Sequence, residues 1–298
     1  MRILNAEATA DLLPYERLIP AVALAMLDLR AGLIHASQRT VLPLPDGGSY
    51  LAMPCTDAHY AVTKLVTVTP ANRERGQATI QGRVVVSEAA SGTPLIILDG
   101  IVVTARRTAA VTLLGMETLA KKPPESVVLI GTGAQALNHA LAMGERWPGV
   151  QLRCVGRGRA HSTAFAAALV AQGLNARAQD LEQALEGASA AVAATTSLTA
   201  VLPDEVDPAI LVVGLGSFTP QMAELPAKQV RQRQVWVDDI DGARHEAGDL
   251  LQAGVDWRRV HSLAEALLND KLQQAPMLLK TVGHAAWDLA AVRTALMR

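Results

Sequence analysis

The sequence predicts an α/β protein in which a doubly wound parallel sheet occupies the second half of the chain. From residue 126 to about residue 260, short apolar runs alternate with helical patterns, which is typical of parallel strands joined by helices. The first of these runs ends in a glycine-rich turn, and a helical pattern follows it directly. The long segment before this turn has a different pattern, with β-like runs between turn signals, so a separate domain precedes the parallel sheet.

The first segment is predicted to begin with a helix and to continue as a sheet. Residues 15–36 form an amphipathic helical pattern. Its apolar positions are Leu18, Val22, Met26 and Leu29. Five short β-like runs follow, separated by turn signals, and their β-branched content and even spacing predict an antiparallel or mixed sheet. The predicted strands span residues 40–44, 49–53, 60–68, 82–87 and 94–99.

The second segment is introduced by a helical pattern over residues 104–121 and by a boundary at Lys121-Lys-Pro-Pro. Predicted strands then span residues 127–130, 151–155, 190–194, 210–215 and 234–237, with helices between them. This order predicts a Rossmann-type sheet. The tail, residues 281–298, is predicted to form a helix that packs on the second domain or returns to the first.

The turn after the first parallel strand has the spacing of a dinucleotide-binding loop. Gly131 permits a tight turn, Gly133 lets the backbone approach a pyrophosphate, and Ala136 keeps the helix close to the strand. The helix N-terminus offers free N–H groups to the anion. An ordinary loop is the alternative for a glycine triplet alone. The predicted cofactor contacts here are Gly131, Thr132, Gly133, Ala134 and Gln135.

Two arginines follow the second parallel strand, where an NAD site usually has an acidic residue. Arg157 and Arg159 offer positive charge and paired donors, which suit a 2′-phosphate, and Ser162 adds a candidate hydroxyl. We therefore predict NADP(H) rather than NAD(H) as the cofactor, with a solvated turn as the alternative interpretation.

Further candidate cofactor contacts lie at the ends of two later strands. Thr195, Thr196 and Ser197 end one run, and Gly214 and Gly216 lie at the end of the next. Small residues at the carboxyl ends of parallel strands commonly line the cofactor crevice. A strand-end turn is an equal alternative for the three hydroxyl residues.

Composition restricts the partners. The 298 residues carry a net charge of −1 and no long basic or acidic run, so we predict a small-molecule substrate and no nucleic-acid or membrane partner. We find no signal-peptide pattern and no long apolar stretch, and Cys55 and Cys154 are isolated thiols, which together favour a cytoplasmic protein with buried, reduced cysteines. No group of residues has metal-ligand spacing, so no metal is predicted.

Three cations in the first segment are candidates for binding a carboxylate. Lys64 interrupts an otherwise apolar strand, where a half-buried lysine without a role is costly. Arg107 lies near the start of a helix, where a basic residue gains nothing from the helix dipole, and Arg39 opens a strand. Each of them taken alone is more often a surface residue.

The chain resembles the ornithine cyclodeaminase/mu-crystallin family over nearly its full length. The motifs that carry the resemblance are Gln38-Arg39, Met53-Pro54, Lys64-Leu-Val-Thr-Val with Pro70-x-Asn72, Ser91-Gly-Thr-Pro-Leu, Leu98-Asp-Gly100, Thr104-Ala-Arg-Arg-Thr-Ala-Ala110, Gly131-Thr-Gly-Ala-Gln135, Gly216-Ser-Phe-Thr-Pro-Gln-Met-Ala-Glu-Leu225, and Val282-Gly283 with Asp288. The resemblance implies a homodimer. It also implies a discontinuous α+β domain for substrate binding and dimerisation, residues 1–112 plus 281–298, beside an NADP-binding domain, residues 113–280.

The resemblance also assigns residues and a reaction. Arg39, Lys64 and Arg107 match the family's substrate-carboxylate and active-site cations, and Met53 and Ser217 complete the predicted substrate site, with Lys64 as the catalytic residue. The two carboxylates of the cyclodeaminase pattern are missing: one would precede Met-Pro and the other would lie in the segment that begins at residue 216. We therefore predict NADPH-dependent reduction of a cyclic imine carboxylate, Δ1-pyrroline-2-carboxylate or Δ1-piperideine-2-carboxylate, to L-proline or L-pipecolate. The alternatives are an ornithine cyclodeaminase, an alanine/opine-type dehydrogenase, and a non-catalytic binder of small ligands.

Overall fold

The computed structural model describes residues 1–120, 122–269 and 275–297, apart from the side chain of Arg73. The chain divides into two compact units, Met1–Ala110 with His284–Arg298, and Val111–Gly283. The division falls within one long helix, which is α3 (Gly100–Ala120). Lys121, which the sequence analysis placed at a boundary, lies outside the described residues.

The first unit is built on one mostly antiparallel sheet. Its other elements are β1 (Arg2–Ile3), α1 (Ala6–Asp11), α2 (Tyr15–Arg30), β2 (His35–Ala36), β3 (Thr40–Pro43), β4 (Ser49–Thr56), β5 (Tyr60–Val68), β6 (Ile80–Glu88), β7 (Pro94–Asp99) and α11 (Ala285–Leu296). The strand order is β1-β7-β6-β5-β4-β2, and β3 also pairs with β4. Helix α11 packs against α2 and against β4 and β5, so its residues are buried almost throughout.

The second unit contains an eight-stranded parallel sheet. Its strands are β8 (Ser126–Ile130), β9 (Gln151–Val155), β10 (Ala176–Ala178), β11 (Ala190–Ala193), β12 (Leu211–Gly214), β13 (Gln234–Val237), β14 (Val260–Ser262) and β15 (Met277–Lys280). Its helices are α4 (Ala134–Arg146), α5 (Arg159–Val170), α6 (Leu181–Leu185), α7 (Ala227–Gln232), α8 (Ile240–Glu246), α9 (Gly248–Ala253) and α10 (Leu263–Leu267).

The strand order in this sheet is β10-β9-β8-β11-β12-β15-β13-β14. The chain runs outward from β8 through β9 to β10, and then returns to place β11 on the other side of β8. Because parallel crossovers are right-handed, this reversal places the connecting helices on opposite faces of the sheet. The predicted α/β class with a Rossmann-type, doubly wound sheet is therefore confirmed.

Several predicted bounds are wrong in detail. The helix predicted over residues 15–36 ends at Arg30, because Gly32 adopts a left-handed conformation with φ +72°. The N–H of Leu33 then donates to the carbonyl of Asp28 and that of Gly32 to Leu29, a hydrogen-bond pattern that closes a helix C-terminus. His35 and Ala36 pair with β4 instead of continuing the helix. Strands β1, β2, β10, β14 and β15 were not predicted.

Two further features concern the environment of the chain. Both Cys55 and Cys154 are buried and neither forms a disulfide. Among the described helices, none combines the length and the apolar character that crossing a membrane requires.

Candidate active site

The glycine turn lies where the strand order of the parallel sheet reverses. Gly131 follows β8 and has φ +117°, a conformation that L side chains rarely adopt. A side chain at this position would also overlap the carbonyl oxygen of Ala194, which follows the neighbouring strand β11. Ligands of doubly wound sheets bind at such reversal points, beyond the carboxyl ends of the strands.

The helix after this turn presents an open N-terminus. Gly133 is the N-cap of α4, and a side chain built on it would meet nothing within 4 Å. The first turn of α4 has no acidic residue that would repel an anion. Ala136 is fully buried, and Gln135 lies partly buried in the first turn of α4. This arrangement fits a bound pyrophosphate.

The turn between β9 and α5 carries the two predicted arginines. Arg157 and Arg159 are both exposed, so their guanidinium groups are accessible to a ligand. Ser162 is different: its buried hydroxyl accepts a hydrogen bond from Gly156 N at 2.8 Å and contacts the carbonyl of Gly158 at 3.3 Å. In this structure the hydroxyl of Ser162 shapes the turn.

The segments after β11 and β12 are joined through the carboxylate of Glu224. Its Oε1 accepts hydrogen bonds from the backbone N–H (2.5 Å) and the hydroxyl (2.9 Å) of Thr195. Its Oε2 accepts from the N–H groups of Gly216 (2.6 Å) and Ser217 (3.1 Å). A side chain at Gly216 would overlap Thr195, so only glycine permits this approach. Gly214 is the buried last residue of β12.

The hydroxyl residues of these segments differ in their availability. Thr196 is exposed, whereas Ser197 is partly buried and its hydroxyl donates to the carbonyl of Thr199 at 2.6 Å. Ser217, a predicted substrate contact, is fully buried and its hydroxyl donates to the carbonyl of Met222 at 3.0 Å. The hydroxyl of Ser217 is thus engaged within its own loop.

In the first unit, two of the predicted cations meet at one carboxylate. Lys64 Nζ lies 3.0 Å from Oδ1 and 2.9 Å from Oδ2 of Asp288, which is on α11. Arg107 Nε lies 3.2 Å from the same Oδ1. The side chains of all three residues are less than 10% exposed. Two buried cations therefore share one buried carboxylate, and one positive charge is left uncompensated within this group.

Arg39 and Met53 are close to this group. The charge of Arg39 contributes to the electrostatic environment of Lys64. Met53 is the direct cross-strand partner of Lys64 in the pairing of β4 with β5, so their side chains lie on the same face of the sheet. Met53 is buried, and it gives this face an apolar surface beside the cations.

Burial determines the acid–base behaviour of Lys64. It lowers the pKa of the Lys64 ammonium from 10.5 to about 8, because the charged form is disfavoured away from water. The carboxylate of Asp288 opposes this shift, while the positive charges of Arg107 and Arg39 reinforce it. Lys64 therefore remains mostly protonated at neutral pH but can release its proton within the physiological range.

Sequence reasoning did not identify two of these residues as functional. Asp288 was noted only within a family motif, although a carboxylate in an otherwise apolar, buried helix is itself a signal. Glu224 was also quoted only within a motif. It lies in a loop without periodicity, and nothing in its local sequence indicates that it bonds to Thr195.

With this geometry described, comparison with known proteins places the chain in a family. The model of the ornithine cyclodeaminase/mu-crystallin family matches residues 2–286. The chain belongs to this family. It is 44% identical over 293 residues to Delta(1)-pyrroline-2-carboxylate reductase 1 of Burkholderia multivorans, covering 98% of this chain and 94% of that protein. It is 43% identical over 293 residues, with the same coverage, to a Delta(1)-pyrroline-2-carboxylate/Delta(1)-piperideine-2-carboxylate reductase of Azospirillum brasilense.

These relatives are reductases, and the prediction that the chain is an enzyme of the oxidoreductase class is confirmed. Among solved structures, the chain is similar to Thermococcus litoralis Delta(1)-pyrroline-2-carboxylate reductase in complex with NADH and L-proline. The TM-score is 0.89 at 22% identity, covering 99% of this chain and 96% of the other. At this identity the likeness establishes the fold.

Proposed function

We propose that this enzyme uses NADPH to reduce a cyclic imine carboxylate, Δ1-pyrroline-2-carboxylate or Δ1-piperideine-2-carboxylate, to L-proline or L-pipecolate. The observation that carries the proposal is the uncompensated buried cation among Lys64, Arg107 and Asp288. The names of the Burkholderia and Azospirillum relatives support the same substrate class.

The excess positive charge suits a substrate carboxylate. A buried charge without a partner is costly, and a bound carboxylate removes this cost by pairing with the second cation. Arg107 offers a planar set of donors for this contact, and Arg39 adds a further positive charge. Met53 provides apolar surface for the ring of a substrate that has no side-chain amine. We retain Ser217, on the second unit, as a proposed substrate contact because the sequence predicts it.

We assign proton transfer to Lys64. Reduction of the C=N bond adds a hydride to C2 and a proton to the nitrogen, and the bound nicotinamide supplies the hydride. A lysine with a pKa of about 8 is a competent donor near neutral pH, because its acidity is matched to the working pH. Asp288 holds the ammonium group in a fixed orientation through contacts of 2.9 and 3.0 Å.

The second unit would hold the cofactor. The residues from Gly131 to Gln135 and the N-terminus of α4 would bind the pyrophosphate. Arg157 and Arg159 would bind the 2′-phosphate of NADPH, with Ser162 shaping the turn that carries them. Residues 195–197, 214 and 216 would line the site at the carboxyl edge of the sheet. We propose a homodimer as the assembly, with residues 1–112 and 281–298 as the substrate-binding and dimerisation domain and residues 113–280 as the cofactor domain.

One assay panel tests the proposed reaction. Oxidation of NADPH is followed with pyrroline-2-carboxylate, with piperideine-2-carboxylate, and with pyruvate plus ammonia or methylamine, beside ammonia release from ornithine. We expect rapid NADPH oxidation with one or both cyclic imines. Turnover of pyruvate with amine in preference to the imines would instead indicate an alanine/opine-type dehydrogenase, ammonia release a cyclodeaminase, and no turnover a binder.

The role of Lys64 is tested in the same assay. Removal of a general acid typically costs 10²–10⁴-fold in rate, so Lys64→Ala should lower kcat/KM by roughly that factor. The control is Lys228→Ala, since Lys228 is an exposed lysine paired with Glu205 on the second unit. The assignment is wrong if Lys64→Ala retains near-normal kcat/KM with NADPH.

A further inference from the structure

Three buried charged residues of the second unit have no role in the reaction described above. Glu224, Asp249 and Lys280 are each no more than 1% exposed. Lys280 Nζ lies 3.3 Å from Asp249 Oδ2, and Asp249 Oδ1 accepts hydrogen bonds from the backbone N–H groups of Glu224 (2.5 Å) and Leu225 (2.8 Å). Buried ionised groups cost stability unless they are fully paired, so a network of three calls for an explanation.

The network lies at the carboxyl ends of the strands of the parallel sheet. Lys280 is the last residue of β15, and its Nζ also lies 3.4 Å from the carbonyl of Gly214, the last residue of β12. Glu224 accepts four hydrogen bonds from the segments that follow β11 and β12. The network thus joins the carboxyl ends of three strands, and this edge is where doubly wound sheets bind their ligands.

The chemistry of Glu224 suits this junction. An ionised carboxylate is an acceptor only, with two oxygens that together take about four hydrogen bonds. Here one oxygen takes both donors of Thr195, and the other takes the N–H groups of Gly216 and Ser217. A glutamine has the same shape, but one of its two oxygens is replaced by an N–H₂ donor. That donor would face either the donors of Thr195 or the N–H groups of Gly216 and Ser217, so two hydrogen bonds would be lost.

We propose that Glu224 is a positioning residue, which locks the segments after β11 and β12 into the geometry that the nicotinamide cofactor requires before the cofactor binds. This inference rests on the proposed function, because the cofactor-facing role of the two segments is part of it. Asp249 accepts hydrogen bonds from the backbone N–H groups of Glu224 and Leu225, and Lys280 pairs with Asp249. Both residues therefore help to fix the backbone of Glu224. Preorganised backbone groups need no rearrangement when a ligand arrives, and this improves its binding and orientation.

The test compares Glu224→Gln with a control variant that removes hydrogen bonds at the amino ends of strands in the same sheet. Arg233 is buried, and its guanidinium donates to the carbonyls of Ile210 and Met277, at the amino ends of β12 and β15, and also to those of Val206 and Asp207. Arg233→Met removes these hydrogen bonds and should lower the unfolding temperature without touching the cofactor segments. NADPH binding is measured by fluorescence titration of each folded protein, beside its unfolding temperature and its kcat and KM for NADPH.

We expect both variants to unfold at a lower temperature, but only Glu224→Gln to raise the Kd and the KM for NADPH, by at least tenfold. An unchanged Kd in Glu224→Gln overturns the proposal. So does an equal rise in both variants, because that would mark a general loss of stability.

A second measurement needs no variant and settles the matter if Glu224→Gln does not fold. Amide hydrogen exchange of the wild-type enzyme without cofactor should show the N–H groups of Thr195, Gly216 and Ser217 protected, because Glu224 already binds them. Exchange at the rate of an open loop, with protection only after NADPH is added, overturns the proposal. If the wild-type enzyme binds neither NADPH nor NADH, the proposed function fails, whereas an altered Kd without imine turnover leaves the role of Glu224 intact.

Discussion

Replacing Asp288 by asparagine tests the electrostatic balance of the proposed substrate site. The substitution keeps the shape of the side chain but removes its charge. Lys64 and Arg107 then lose the carboxylate that they share, with contacts of 2.9–3.2 Å. Because both cations are buried, solvent can compensate only a small part of this loss.

The magnitude follows from the distances. At 3 Å and an effective dielectric constant of about 20, the attraction between two unit charges is roughly 5–6 kcal/mol, and one pKa unit corresponds to about 1.4 kcal/mol. After allowance for relaxation of the neighbouring groups, we expect Asp288→Asn to lower the pKa of Lys64 by roughly two units or more from its value of about 8. Loss of one partner from a buried ion pair should also lower the free energy of unfolding by about 3–5 kcal/mol.

The assay is the pH dependence of kcat/KM for imine reduction at saturating NADPH. In the wild-type enzyme, activity should fall as the pH rises through about 8, where Lys64 loses its proton. In Asp288→Asn, the same fall should lie roughly two pH units lower. The control is Asp28→Asn, which makes the same chemical change at an aspartate that pairs with Arg293 of α11 at 2.6 Å. If kcat/KM falls at the same alkaline pH in Asp288→Asn and in the wild type, this reasoning is refuted.

Two further predictions concern the second unit. Arg157→Ala should lower the ratio of kcat/KM with NADPH to kcat/KM with NADH by roughly tenfold or more, because a hydrogen bond to a charged group contributes about 1.5–3 kcal/mol. The control is Arg177→Ala, since Arg177 is also an exposed arginine of the second unit. An unchanged ratio in Arg157→Ala would contradict the NADP assignment. His139 is buried between Thr112 and the carbonyl of Gln135, and burial lowers its pKa from 6.5 to about 4. Between these pH values the unfolded chain binds a proton that the native state does not, so the free energy of unfolding should fall by up to about 3 kcal/mol as the pH drops from 6.5 to 4. Denaturant titrations across this range should show that fall in the wild type and a smaller one in His139→Gln; equal pH dependence of the two proteins would count against the prediction.

The sequence predicts most of the fold because most strands carry their own local signal. Residues 60–68 are rich in Val and Thr, and residues 151–155 lie between Pro148-Gly149 and Gly156; both strands have the predicted bounds. Strand β15, Met277–Lys280, contains no β-branched or aromatic residue, and it is a strand because it pairs with β12 and β13 on its two sides. Strand β14 has only three residues, which is too short for any period to be detected.

The residues of the candidate site likewise fall into those that the local sequence identifies and those that it does not. Lys64 was identified because its charge is anomalous within an apolar strand, and Arg107 because of its place in a helix. The partner of both residues was missed, because Asp288 in the helix predicted over residues 281–298 was quoted only within a family motif and given no role. Asp288 nevertheless supplies a buried carboxylate to this group. In the structure this carboxylate pairs with the two cations, so it is not available to anchor a substrate ammonium in the way that the cyclodeaminase reaction would need.

Helix α11 carries two charges, and burial determines the sign of the partner that each of them needs. The helix is buried almost throughout, so each charge on it needs an opposite charge from another element. Its two charges obey this rule: Asp288 meets Lys64 and Arg107, and Arg293 meets Asp28 and Asp57. Once the helix is known to be buried, the sign of each partner follows from the sequence. Its identity does not, because the chain offers 27 lysines and arginines and 28 acidic residues, and only the pairing of strands and the packing of α11 on β4 and β5 select among them.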